Sequence, residues 1–92
     1  MNTMIELGGN ITLINFDEIE PALLIVIKKI VGNYTKKISE SIENFKSIEV
    51  TLENKSENKI KVKVESDTIN EAEAQDKNLF FALDKALSAV LK

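Results

Sequence analysis

Four lysines are the first residues in this chain whose type and spacing could do chemistry: Lys28, Lys29, Lys36 and Lys37. Placed at 100° per residue, Lys28, Lys29 and Lys36 fall on the face of a helix away from its apolar stripe, with Lys37 at that face's edge. Ammonium groups in a row can track the phosphates of a nucleic acid backbone, which makes these four the candidate RNA-binding residues. The plainer alternative is a solvated helix face, and Glu40 and Glu43 turn the same face acidic farther along. Lys59, Lys61 and Lys63 recur at period two and would share one face of a strand, but Glu49, Glu53, Glu71 and Glu73 would share it too and neutralise its field. Glu71 and Glu73 point the same way on a strand and could hold a proton or a hard cation between them. Nothing nearby supplies a base, an oxyanion donor or a pocket, so no catalytic residue is expected. A third kind of candidate is apolar. Ile25 and Val26 lie on the polar side of the first helix and Phe81 on the polar side of the last, which marks a partner interface, most simply a homodimer.

Composition narrows the classes further. The chain has 92 residues, no Cys and no His, and all of its basic residues are Lys. A disulfide scaffold, a Cys/His zinc site, a thiol or imidazole nucleophile–base pair and a histidine pH switch are all excluded. No cofactor, metal or small-molecule substrate is expected. The formal charge of −3 and the lack of Arg weigh against a strong nucleic-acid binder while leaving room for a local basic patch. The longest apolar run, Ala22–Ile27, is far short of the roughly 20 residues that cross a membrane. No signal-peptide pattern opens the chain, so the cytosol is the expected compartment. The length fits one domain, residues 1–92.

The elements that must position these residues can be read from periodicity. Met4–Ile14 reads as a first strand region, with Gly8–Gly9–Asn10 as a bulge or bend inside it. A long helix follows, starting either at Asp17, with Glu20 at capping-box spacing, or at Glu20–Pro21. Its apolar arc of Leu23, Ile27, Ile30, Val31, Tyr34, Ile38, Ile42 and Phe45 extends it to about Phe45. Gly32–Asn33 could kink it or cut it in two. Ile48, Val50 and Leu52, then Ile60, Val62 and Val64, alternate with polar residues and predict a hairpin around Asn54–Asn58. Pairing about Ser56 would set Glu53 opposite Lys59 and Glu49 opposite Lys63. Thr68–Ala74 predicts a last strand after a Ser66–Asp67 turn, and Asn78 would cap a final helix, Leu79–Lys92. The expected fold class is α+β in the order β-α-β-β-β-α, a four-stranded, mainly antiparallel sheet with two helices packed on one face.

That order, together with Ala72-Glu-Ala74 followed by Asn78-Leu79-Phe80-Phe81-Ala82-Leu83-Asp84, resembles the ribosome hibernation-promoting factor family, the protein Y-type ribosome-associated inhibitors. In that family small alternating residues lead into a polar cap, an aromatic and then Ala-(Ile/Leu)-Asp. Gly9–Asn10 and Ala22–Leu23 extend the likeness over nearly the whole chain, with a few inserted residues before Pro21. The resemblance implies a fold related to double-stranded RNA-binding domains. It also implies a function: occupation of the RNA channel of the small ribosomal subunit, with inhibition of translation. The family's basic positions on the last helix do not carry over, because that helix offers only Lys85 and Lys92. The alternative is a protein-interaction or homodimerisation module of the same fold that does not bind RNA.

Overall fold

The computed structural model describes residues 4–91. Its elements are β1 (Met4–Leu7), β2 (Ile11–Ile14), α1 (Pro21–Ser41), β3 (Ser47–Asn54), β4 (Lys59–Glu65), β5 (Ile69–Gln75) and α2 (Leu79–Leu91). The α+β class expected from sequence is present, but the sheet has five strands in the order β1-β2-β3-β4-β5. The extra strand comes from the glycines. Gly8 and Gly9 both sit at positive φ, +66° and +82°, a conformation that costs glycine nothing and other residues much. The chain therefore reverses there, and Met4–Leu7 pairs antiparallel with Ile11–Ile14 instead of forming one bulged strand with it.

The sheet is also mixed. β2 pairs parallel with β3 through the crossover that α1 provides, while the other neighbouring pairs are antiparallel. In the β3–β4 hairpin Glu49 stands opposite Lys63 as expected. A bulge between Leu52 and Asn54 puts Asn54, not Glu53, opposite Lys59.

One face of the sheet builds the core. Ile48, Val50, Leu52, Ile60, Val62 and Val64 project from the two central strands and are buried. Leu13 joins them across the parallel pair, and Phe16, in the turn before α1, is fully buried beneath it. Both helices cover this face: α1 contributes Ile27, Val31 and Ile38, and α2 contributes Ala82, Leu83, Ala86, Leu87 and Val90.

α1 starts at Pro21, with Glu20 as an extended N-cap that makes no side-chain capping bond. The Asp17 start is therefore not used. Proline suits a first helical position because its missing N–H would have no partner there. The helix passes Gly32 without interruption and ends at Ser41, four residues before the expected Phe45. Asn44 takes φ 59°, off the helical path. It donates from Nδ2 to Asp67 Oδ2 at 2.7 Å. Phe45 still packs on the core from outside the helix. The end of α2 at Lys92 lies outside the described residues.

Candidate functional site

The four candidate lysines of α1 do not form one stripe. Lys29 and Lys36 are exposed on the outward side of the helix, two turns and about 10 Å apart along its axis. Lys28 is half-buried on one flank, and Lys37 lies about 180° round the axis from it at 100° per residue. Lys37 Nζ sits 5.6 Å from the centre of the Tyr34 ring, within cation–π range. The expected placement of Lys28 on the outward face is thus corrected: its position on the helix turns it toward the side of Leu24 and Thr35. Among the described residues the ion pairs are Lys55–Glu18, Lys59–Glu73, Lys61–Glu71 and Lys85–Asp76, and none involves an α1 lysine.

The sheet lysines behave differently. The open face of the sheet carries Lys59, Lys61 and Lys63 between Glu49 on one side and Glu71 and Glu73 on the other. Lys59 Nζ lies 3.4 Å from Glu73 and Lys61 Nζ 3.2 Å from Glu71, each pair running diagonally across β4 and β5. Glu71, through a hydrogen bond and its charge, pushes the Lys61 ammonium above its ordinary pKa. Lys59 and Lys61 are matched in place and Lys63 stands in register between Glu49 and Glu71, so the face offers little field to a distant phosphate. Glu71 and Glu73 are correspondingly occupied by lysines. Among the described residues no group of three or more His, Cys, Asp or Glu is placed to hold a metal ion.

The apolar candidates are all exposed. Ile25 shows 57% of its surface, Val26 44% and Phe81 62%; Leu23, on the core-facing arc of the same helix, shows 40%. In the first turn and a half of α1 Leu24 packs against the core, while Ile25 and Val26 stand in water. Phe81 projects from the first turn of α2, on the side opposite Leu83 and Ala86. A shallow polar hollow lies nearby, between the β3–β4 loop and the β5–α2 turn, lined by Ser56, Glu57, Asn58, Gln75, Asp76 and Lys77. All six lining residues are polar or charged.

The stretch that carries the family resemblance is used structurally. Asn78 Oδ1 accepts hydrogen bonds from the backbone N–H groups of Phe80 and Phe81, at 2.9 and 3.2 Å, and so caps α2. Ala82 and Leu83 are core. Asp84 accepts a hydrogen bond from the Tyr34 hydroxyl, tying α2 to the middle of α1. That bond, with partial burial and the Asp84 charge behind it, raises the Tyr34 pKa above its usual value. Lys85 reaches back to Asp76 at 2.7 Å and, with backbone N–H donors, holds the Asp76 carboxyl below its usual range. Ala72 and Ala74 pack against the core where α2 comes close to β5, and their small size admits the helix.

The sequence pattern alone does not single out Phe16, Asp76 or Asp84 for the positions they hold. Asn78, two residues after Asp76, is the available signal for the turn. For Tyr34–Asp84 there is none, since the partners are 50 residues apart. No protein-family model matches the chain, and no curated protein matches it.

Proposed function

We propose that this chain is a non-catalytic binding domain that associates with RNA of the small ribosomal subunit and, by occupying it, opposes translation in the cytoplasm, in the manner of hibernation factors. The observation that carries the reading is the division of its cations. On the sheet Lys59 and Lys61 pair with Glu73 and Glu71 and Lys63 stands in register between Glu49 and Glu71, whereas Lys28, Lys29 and Lys36 on α1 have no ion-pair partner among the described residues and no carboxylate opposite them in a strand register. Lys29 and Lys36 would bear most of the phosphate contact, with Lys28 and Lys37 reaching from the two flanks. The structural use of the Asn78–Asp84 stretch supports the likeness to the hibernation-factor fold, since Asn78 caps α2, Ala82 and Leu83 pack in the core and Asp84 joins the two helices, with Phe81 left exposed. Among the described residues no helix is long and apolar enough to cross a membrane. The test is co-sedimentation with purified small subunits over a salt series. Binding at low salt that falls steeply as salt rises is expected; no binding at the lowest salt ends the reading.

A second reading is favoured by the exposure of Ile25, Val26 and Phe81. In it the same fold is a protein-interaction or homodimerisation module without RNA affinity.

A further inference from the structure

The opening of α1 is apolar on almost every side, and none of residues 21–26 is buried. Ile25 and Val26 are the exposed large apolar residues on the outward side of this stretch, while Leu23 lies on the edge of the core-facing arc. The charges on either side of that patch have opposite signs. Glu18 and Glu20 precede it, and Lys28, Lys29 and Lys36 follow it. Glu20 is exposed and has no ion-pair partner among the described residues. Glu18 is held only by an exposed 3.6 Å pair with Lys55. A surface with acid at the helix start, apolar residues in the first turns and bases beyond them is complementary to its own reverse.

We propose that α1 of one molecule packs antiparallel against α1 of a second copy, about a twofold axis at the level of Ile27. Positions equidistant from Ile27 then face each other. Ala22 meets Gly32, where even a Cβ would touch no atom within 4 Å, so two backbones can approach closely. Ile25 lies under the aliphatic stem of the partner molecule's lysine at position 29, whose ammonium group stays in water. The lysine at position 36 reaches toward the glutamate at 20, the N-cap at the start of the partner molecule's helix. Running the two helices parallel would instead set lysine on lysine and glutamate on glutamate, which costs what the antiparallel order gains. A helix pair of this size is the apolar centre of a small interface, so the dimer forms at high protein concentration and dissociates on dilution. The inference rests on the second reading above and does not depend on RNA binding.

The chain contains no cysteine, so single cysteines report contacts without background. Light scattering of the unmodified protein over a concentration series should show a rise toward dimer mass. Val26→Cys lies one residue from the axis and should form a disulfide dimer on mild oxidation. Glu40→Cys lies 13 residues from the axis, about 39 Å along it from its own copy at 1.5 Å per residue, and should not. Ile25→Glu, at an exposed position, should leave the circular dichroism unchanged and the protein monomeric. A monomer mass at every concentration overturns the second copy, and with it the homodimer reading. A dimer in which both cysteine variants cross-link, or neither does, overturns the antiparallel geometry alone. Persistence of the dimer in Ile25→Glu overturns the assignment of the patch.

Discussion

Replacing Asn78 with Ala removes the side chain that starts the last helix. Its Oδ1 receives two backbone donors, Phe80 N at 2.9 Å and Phe81 N at 3.2 Å. Its own N–H donates to Asp76 Oδ1 at 3.0 Å, and this bond survives the substitution because it belongs to the main chain. Loss of an N-cap costs about 0.5–2 kcal/mol. Both donors are on the exposed side and water replaces the lost acceptor, so the cost should be about 1 kcal/mol. In a domain of this length that lowers Tm by about 4–8 °C. The buried residues of α2, Ala82, Leu83, Ala86, Leu87 and Val90, all follow the cap and are part of the common core. The loss should therefore appear in global unfolding and not only as fraying of one turn. Urea unfolding followed by far-ultraviolet circular dichroism measures it, with Asn78→Asp as the restoring variant, since aspartate caps as well and suits the positive end of the helix dipole. An unchanged midpoint in Asn78→Ala, or failure of Asn78→Asp to recover stability, would refute the assignment of this side chain as the cap.

Tyr34→Phe should lose about 0.5–1 kcal/mol, the worth of one hydrogen bond between exposed groups, and equilibrium unfolding at neutral pH measures it. The native Tyr34 pKa is raised by Asp84, so the tyrosine's contribution is complete below the unfolded value of 10.0 and is lost as pH climbs past it. The stability difference between wild type and Tyr34→Phe should accordingly shrink in alkaline solution, and a difference that grows there would contradict the bond. Asp76 is held low by Lys85, so its contribution is present above the ordinary carboxylate pKa and fades in acid; Lys85→Met should flatten the acid limb of the stability profile. Gly9→Ala should destabilise the β1–β2 hairpin by about 1 kcal/mol, because φ is +82° although the added methyl meets nothing within 4 Å. Hydrogen exchange confined to β1 and β2 is the readout, and unaltered protection there would remove the turn.

How much of this can be read from the residues depends on how local each constraint is. The β3–β4 hairpin is legible because Ile48, Val50, Leu52 and Ile60, Val62, Val64 alternate strictly, and every one of the six is buried. Its register is legible as far as Glu49 and Lys63. The bulge beyond Leu52 that displaces Glu53 has no signature in the alternation. Two strands of four residues flanking Gly8–Gly9–Asn10 are too short to announce themselves separately, and a glycine pair serves a bulge as well as a reversal. Periodicity overruns the end of α1 because Ile42 and Phe45 continue the apolar arc; Asn44, by leaving the helical conformation, decides the matter. The outward placement of Ile25, Val26 and Phe81 is legible from helical angles alone. The flank position of Lys28 and the grip of Tyr34 on Asp84 depend on which side of α1 meets α2, which no single helix encodes.

The central claim is that cations on the outward side of α1 meet phosphates. It is tested most directly by titrating wild type and the Lys29→Gln/Lys36→Gln double variant against small ribosomal subunits at several salt concentrations. Each lost phosphate contact lowers the slope of log K against log salt by about 0.7–0.9, so the double variant should bind more weakly with a slope shallower by about 1.5. Equal affinity and equal slope for the two proteins would contradict the account.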